Sequence, residues 1–285
     1  MSLIEFDTYP INEVIPYLLK DKTTGENIIF ATTQYAEIDS SIGVETPMSV
    51  ILLYTTLAGM IKPRVEKSTE QRRKRTKSKA EVFTPSWICN KMNNYCDAEW
   101  FGRPDVFNVE EGKGWIPTTA HIQFEDIDGW KRYVDSTRLE ITCGEAPYIV
   151  SRYDTSNGEP IEIPRRIGIL DRKLCVINEN VTDEAEWLMW AARAYQSTYG
   201  YEFQGDNLLL ARINLLLTFV EYMVDKWNRV PTHEEVMPIV DIICWNIWQM
   251  DGLSGTIPFR TTQCKIFDWK QNTSLEFNQL KEEAE

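Results

Sequence analysis

Histidine, paired cysteines and paired prolines are what this sequence has least of. His121 and His233 are its two imidazoles, and none of its 13 prolines neighbours another. The six cysteines (Cys89, Cys96, Cys143, Cys175, Cys244 and Cys264) include no Cys-x-x-Cys pair. A zinc site therefore has no ligand pattern to rest on, and no metal is expected. Scattered cysteines read as reduced thiols, which suits a cytoplasmic location. No apolar run reads as a membrane span, and the N-terminus shows no signal-peptide pattern. Positive charge is scarce too: 30 Lys and Arg face 43 Asp and Glu, for a net charge of −13. That balance argues against a general nucleic-acid binder.

What is present is the material of a folded chain. With 285 residues, 43% hydrophobic and 12% aromatic, the sequence is long enough for one large domain or two modest ones. Ten tryptophans suit base-stacking surfaces, but buried anchors are the more common explanation. The few positive charges are concentrated. Lys62 to Lys79 holds nine basic residues against Glu66 and Glu70, with Arg72, Arg73, Lys74, Arg75 and Lys77 at its centre. The run has almost no apolar residues with which to bury itself. It reads either as a solvated linker or as a phosphate-contacting segment.

Along the chain, Tyr17–Lys20 and Asn27–Ala31 flank a turn-rich stretch and predict a β-hairpin. A helix is expected over 48–61, and a short one over 86–92, with Thr84 as its cap and Pro85 in its first turn. Residues 95–136 read as irregular surface with a helix near 126–134. Arg138 to Thr142 predicts a strand, broken at Gly144 where glycine allows a positive φ. The turn Glu140-Ile141-Thr142-Cys143-Gly144 fits either a cofactor loop or an ordinary strand end. The charged residues between Ile149 and Glu179 read as a structural ion-pair network. Asp183-x-x-Glu186 and Thr232-x-x-Glu235 predict helix starts, and Pro238 predicts a kink or early stop. Strands are expected at 199–204, ending near Glu202, and at 242–248, followed by Asp251.

Four segments in order carry a resemblance. Glu140-Ile-Thr-Cys-Gly-Glu-Ala-Pro-Tyr148 resembles the acid-x-x-Cys-Gly-x-Gly-x-aromatic motif of adenine-N6 DNA methyltransferases of restriction–modification systems. Ala80-Glu-Val-Phe-Thr-Pro85 is similar to the aromatic-Thr-Pro segment preceding it, and Tyr199–Glu202 and Asn246–Asp251 resemble the second and third cofactor motifs. The likeness covers roughly residues 75–270. It implies an α/β fold: a partial Rossmann-like S-adenosylmethionine-dependent methyltransferase sheet with an N-terminal α/β extension. The division it suggests is a preamble (1–61), a basic linker (62–79), a cofactor-binding domain (80–270) and an acidic tail (271–285). S-adenosylmethionine would be held by Phe83, Thr84, Pro85, Glu140, Cys143, Gly144 and Ala146, with Glu202 on the ribose and Asp251 on the adenine. DNA would meet Arg72, Arg73, Lys74, Arg75 and Lys77.

Two departures matter. Ala146 stands where the family has its second glycine, so a methyl group crowds the turn. The family's catalytic Asn-Pro-Pro-Tyr, which activates the target amino group and stacks on the flipped base, is absent from the sequence. The expectation is therefore cofactor binding, either with catalysis supplied by a second polypeptide or in a truncated remnant. A methyltransferase-derived DNA-binding or interaction module without chemistry is the competing reading.

Overall fold

The computed structural model describes residues 2–70, 72, 73, 76 and 84–282. The fold is mixed α/β, with a small parallel sheet of three strands and several helices. In chain order the N-terminal part contributes α1 (Ile11–Leu18) and α2 (Val50–Tyr54). There follow α3 (Ser86–Phe101), the hairpin β1 (Asn108–Glu111) and β2 (Gly114–Pro117), and α4 (Gly129–Asp135). The sheet strands are β3 (Arg138–Glu140), β4 (Thr198–Glu202) and β5 (Ile247–Gln249). Helices α5 (Ile169–Asn180) and α6 (Glu184–Gln196) connect the first pair; α7 (Gly205–Trp227) and α8 (His233–Asn246) connect the second. The hairpin β6 (Lys265–Asp268) and β7 (Thr273–Glu276) and α9 (Phe277–Glu282) follow. Strand β4 lies between β3 and β5, all parallel, with Glu140 opposite Gly200 and Glu202 opposite Gln249.

Alternation along the strands divides the molecule. Ile247 joins the large hydrophobic cluster of the helices, while the next residue, Trp248, joins a smaller one with Tyr201, Ile266 and Phe277. Successive strand residues point to opposite faces, so the helices cover one face and the β6–β7 hairpin with α9 covers part of the other. The large cluster runs from Ile4 through Leu18, Phe30 and Met48 to the buried face of α7. Helix α7 has 23 residues, is apolar nearly all round and is long and apolar enough to span a membrane. That corrects the reading that no run reaches this length. Its apolar window is 78% buried inside the protein.

Side chains fix the sheet at the start of two strands and along one edge. Buried Lys173 donates to Ser136 O and to Ser197 O and Oγ, tying the residues just before β3 and β4 together. On the outer edge of β5, Arg212 donates to Ile247 O, and also to Leu18 O and Lys20 O. The Gln249 amide pairs with both the N–H and the C=O of Ile29, mimicking a ladder partner. Among the described residues no strand pairs with the opposite edge, β3. Arg138 N–H bonds to Ser197 O across the β3–β4 ladder. Alternate residues of a parallel strand face the same neighbour, so the backbone of Leu139 is directed away from β4. The Leu139 and Ile141 side chains are 44% and 64% exposed.

Several local expectations change. The N-terminal hairpin is the end of α1 followed by a lone antiparallel bridge, Lys20 to Asn27. The expected 48–61 helix is the short α2, and the 86–92 helix extends to Phe101. The strand expected over 242–248 is largely the last turns of α8, with β5 starting only at Ile247. In Ile239-Val240-Asp241-Ile242-Ile243 all but Asp241 are buried, and periodicity cannot separate so short an apolar run from a buried strand. Pro238 sits inside α8 without ending it. The capping boxes fare better: Asp183 Oδ1 accepts from Glu186 N–H, and Thr232 and Glu235 cap α8 reciprocally. Arg152 and Arg166 converge on Glu221, and Arg172 pairs with Asp97, a largely buried ion-pair set.

Candidate functional site

At the carboxyl ends of β3 and β4 lies a cleft of about 850 Å³. The register explains why two acids meet there. Glu140 is opposite Gly200, and Glu202 is two residues further along β4, so both side chains project from the same face. The floor is the turn Thr142–Gly144, in which Thr142 and Gly144 have φ of 48° and 56°. Met92, Asn93 and Cys96 of α3 form one wall, and Gln204 and Asn207, where α7 begins, form another. Among the described residues no Lys, Arg or His lines the cleft.

The two carboxyls differ in their surroundings. Glu202 is 6% exposed; its Oε2 accepts from Gly144 N–H at 2.8 Å and its Oε1 from Gln204 N–H at 3.0 Å. The acid thereby clamps the β3 turn to the end of β4. Glu140 Oε2 is buried and has no hydrogen-bond partner. Burial pushes the Glu140 carboxyl well above its ordinary value, and the Glu202 charge adds to the rise; the N–H groups of Tyr148 and Ile149 oppose it. Cys143 is also buried, and burial followed by the two carboxylates holds its thiol well above its usual range. It is a neutral packing group, not a nucleophile.

Of the other expected cofactor residues, Thr84 and Gly144 border the cleft. Pro85 occupies the cap position of α3 rather than its first turn, makes no side-chain cap bond, and stands outside the cleft lining. Thr84, expected as the cap, accepts through its carbonyl from Thr155 Oγ1 at 2.8 Å. Ala146 is fully buried beneath the turn at φ 65° and contributes no cleft surface. Phe83 lies outside the described residues. Asp251 follows β5 but opens onto an adjoining depression of about 480 Å³, with Ser254 and Arg260. Phe203 borders both hollows. The three acids therefore end three adjacent parallel strands, yet only Glu140 and Glu202 share one cleft. Asp251 Oδ1 is spent on Leu253 N–H at 2.9 Å.

In the basic run, Arg72 is half-buried and Arg73 exposed; Lys74, Arg75 and Lys77 lie outside the described residues. Lys67 departs from the solvated reading. It is 3% exposed, and its Nζ stands 3.8 Å from buried Asp206. Glu145 of the central motif is likewise turned inward, accepting from Arg64 N–H and from Tyr153 Oη at 2.8 Å.

Sequence reading missed Asn93, Gln204 and Asn207. The last two follow Glu202 on the same strand-to-helix turn and could have been found from that adjacency. Asn93 gives no signal; it is placed by donating to Tyr148 O and Ile167 O. No protein-family model, curated protein or solved structure matches this chain.

Proposed function

We propose that the cleft binds S-adenosylmethionine and that the chain is the cofactor-holding part of an adenine-N6 DNA methyltransferase. The observation that supports this best is the pairing of Glu140 and Glu202 on adjacent parallel strands around one cleft. A crevice beyond the carboxyl ends of parallel strands is where open α/β sheets take nucleotide-like ligands. Its volume falls within the ~300–1,000 Å³ typical of small-molecule sites. The lining divides by chemistry. Met92 and Ile141 offer apolar surface, Gln204 and Asn207 offer amides, and the two acids offer negative charge to a sulfonium cation. In this reading the ribose hydroxyls would donate to the Glu202 carboxylate, each of whose oxygens has two lone pairs.

Asp251 has no part in this reading as an adenine ligand. The Phe203 ring, at the junction of the two hollows, is the nearer partner for a base. Methyl transfer needs an amide and an aromatic ring around the target base, and no Asn-Pro-Pro-Tyr occurs in the sequence. A second polypeptide would supply that set, and its strand would pair with the edge of β3. Phosphate contact belongs to the basic run, through Arg73 and its neighbours.

A thermal-shift titration tests the binding. At 100-fold excess over Kd a ligand bound only by the native state adds about 2.7 kcal/mol, so S-adenosylmethionine should raise Tm by several degrees. Glu202→Ala should abolish the rise. An unchanged Tm with intact folding would remove the cofactor reading and leave the non-catalytic module.

A further inference from the structure

We propose that the segment Arg64–Lys67 couples the cleft to the basic run: a ligand in the cleft and phosphate groups on Arg72 and Arg73 each strengthen the other's binding. This rests on the cofactor reading and adds the regulation of the same site. Three observations carry it. First, the segment is seated on both loops that shape the cleft. The Arg64 N–H donates to the carboxylate of Glu145, the residue after Gly144 in the cleft floor. Lys67 Nζ stands 3.8 Å from Asp206, which lies between Gln204 and Asn207 of the cleft wall. Second, both seats are buried and braced from behind. Glu145, Lys67 and Asp206 are 2%, 3% and 0% exposed. Tyr153 Oη donates to Glu145 and Tyr35 Oη to Asp206, each at 2.8 Å. Asn214 of α7 also donates to Glu145 O at 3.1 Å. Third, the same segment is stitched to the residues that would meet phosphate. The Arg64 guanidinium donates to Thr76 Oγ1 at 2.8 Å, and Thr76 Oγ1 donates to Arg72 O at 3.0 Å. The Arg72 N–H donates back to Ser68 O at 2.9 Å, and the next residue, Arg73, is exposed.

This chain of contacts makes ordering shared. Unseating Arg64–Lys67 would break a buried ion pair, which is costly when either charge stays buried. It would loosen both cleft loops and the Arg72–Arg73 turn together. A cleft ligand that fixes the Gly144 turn and the start of α7 therefore also fixes two guanidinium groups for phosphate. The cost of ordering is then incurred once for two ligands. Such coupling is reciprocal: the factor by which one ligand tightens the other is the same in both directions.

Two titrations measure it. Fluorescence anisotropy gives Kd for a short DNA duplex with and without saturating S-adenosylmethionine. Calorimetry gives Kd for S-adenosylmethionine with and without the duplex. In the wild type each ligand should lower the other's Kd by about fivefold or more, and by equal factors. Arg64→Ala keeps the backbone bond to Glu145 and removes the link to Thr76. Lys67→Met combined with Asp206→Asn replaces the buried ion pair as a whole. In both variants the ratio of Kd values with and without the second ligand should fall towards one, a change that a loss of stability alone would not produce. Wild-type affinities that ignore the other ligand, or a ratio unchanged in both variants, would overturn the coupling and leave the cofactor reading standing. No binding of the duplex would overturn the coupling alone. No binding of S-adenosylmethionine would overturn both.

Discussion

Glu140 shows what burial does to a single residue in a cleft. Its carboxyl is pushed up by burial, so the folded state holds a proton that the unfolded chain releases more easily. Stability from this group is complete below the ordinary carboxylate range and is lost as pH rises through the elevated folded value. Glu140→Gln should therefore be increasingly more stable than wild type from pH 5 to pH 8, as urea midpoints at fixed m would show. A gap that narrows with pH would contradict the assignment. The strand end, its acid and the Gly144 turn were all legible in the sequence, because a short alternating run followed by glycine has few alternatives. Which acid would keep one buried oxygen without a donor was not legible. That depends on Gly144 and Gln204 directing their N–H groups at Glu202, contacts set by packing between strands. Ala146 carries the same lesson: the sequence shows the methyl group, but not that it points into the core.

At the scale of elements, the Asp183 and Thr232 caps were read correctly from the sequence, whereas the Thr84 cap and the apolar runs were not. Thr232 Oγ1 accepts from Glu235 N–H, and the Glu235 carboxylate returns the bond to Thr232 N–H while gripping Arg229. These contacts are local, so four residues of sequence contain them. Thr232→Ala should cost about 1 kcal/mol, measurable by chemical denaturation; no change would mean that α8 is held by packing alone. The Arg229 hydrogen bond, with the cap, holds the Glu235 carboxyl down to about 2. Its contribution is thus present above the ordinary carboxylate range and lost as pH falls through that value, opposite in sign to Glu140. The α8–β5 junction was misplaced because Ile242, Ile243 and Cys244 are buried in a helix as thoroughly as in a strand. Asp251 does not share the cleft of Glu140 and Glu202 for a related reason. Its distance from β5 was nearly right, but the loop beyond folds back on itself through Asp251 N–H to Thr256 O, carrying the carboxylate into the neighbouring hollow.

For the molecule as a whole, the N-terminal segment is tied to the sheet by polar contacts that no sequence pattern announces. Arg212, fully buried in α7, reaches carbonyls of β5, α8 and the α1 end. Arg212→Met should cost roughly 3 kcal/mol or more, since several buried carbonyls lose their donor at once. Hydrogen exchange should show the loosened amides in Leu19–Phe30 and in β5 together. Loosening confined to one of them would show that the tie is not shared.

The Gln249 amide, clasped to Ile29, blocks one rim of the sheet; among the described residues no strand covers the other, β3. Two molecules meeting rim to rim would consume both β3 rims, and neither could recruit a third in the same way. Crowding should then yield pairs that stop growing, not fibres.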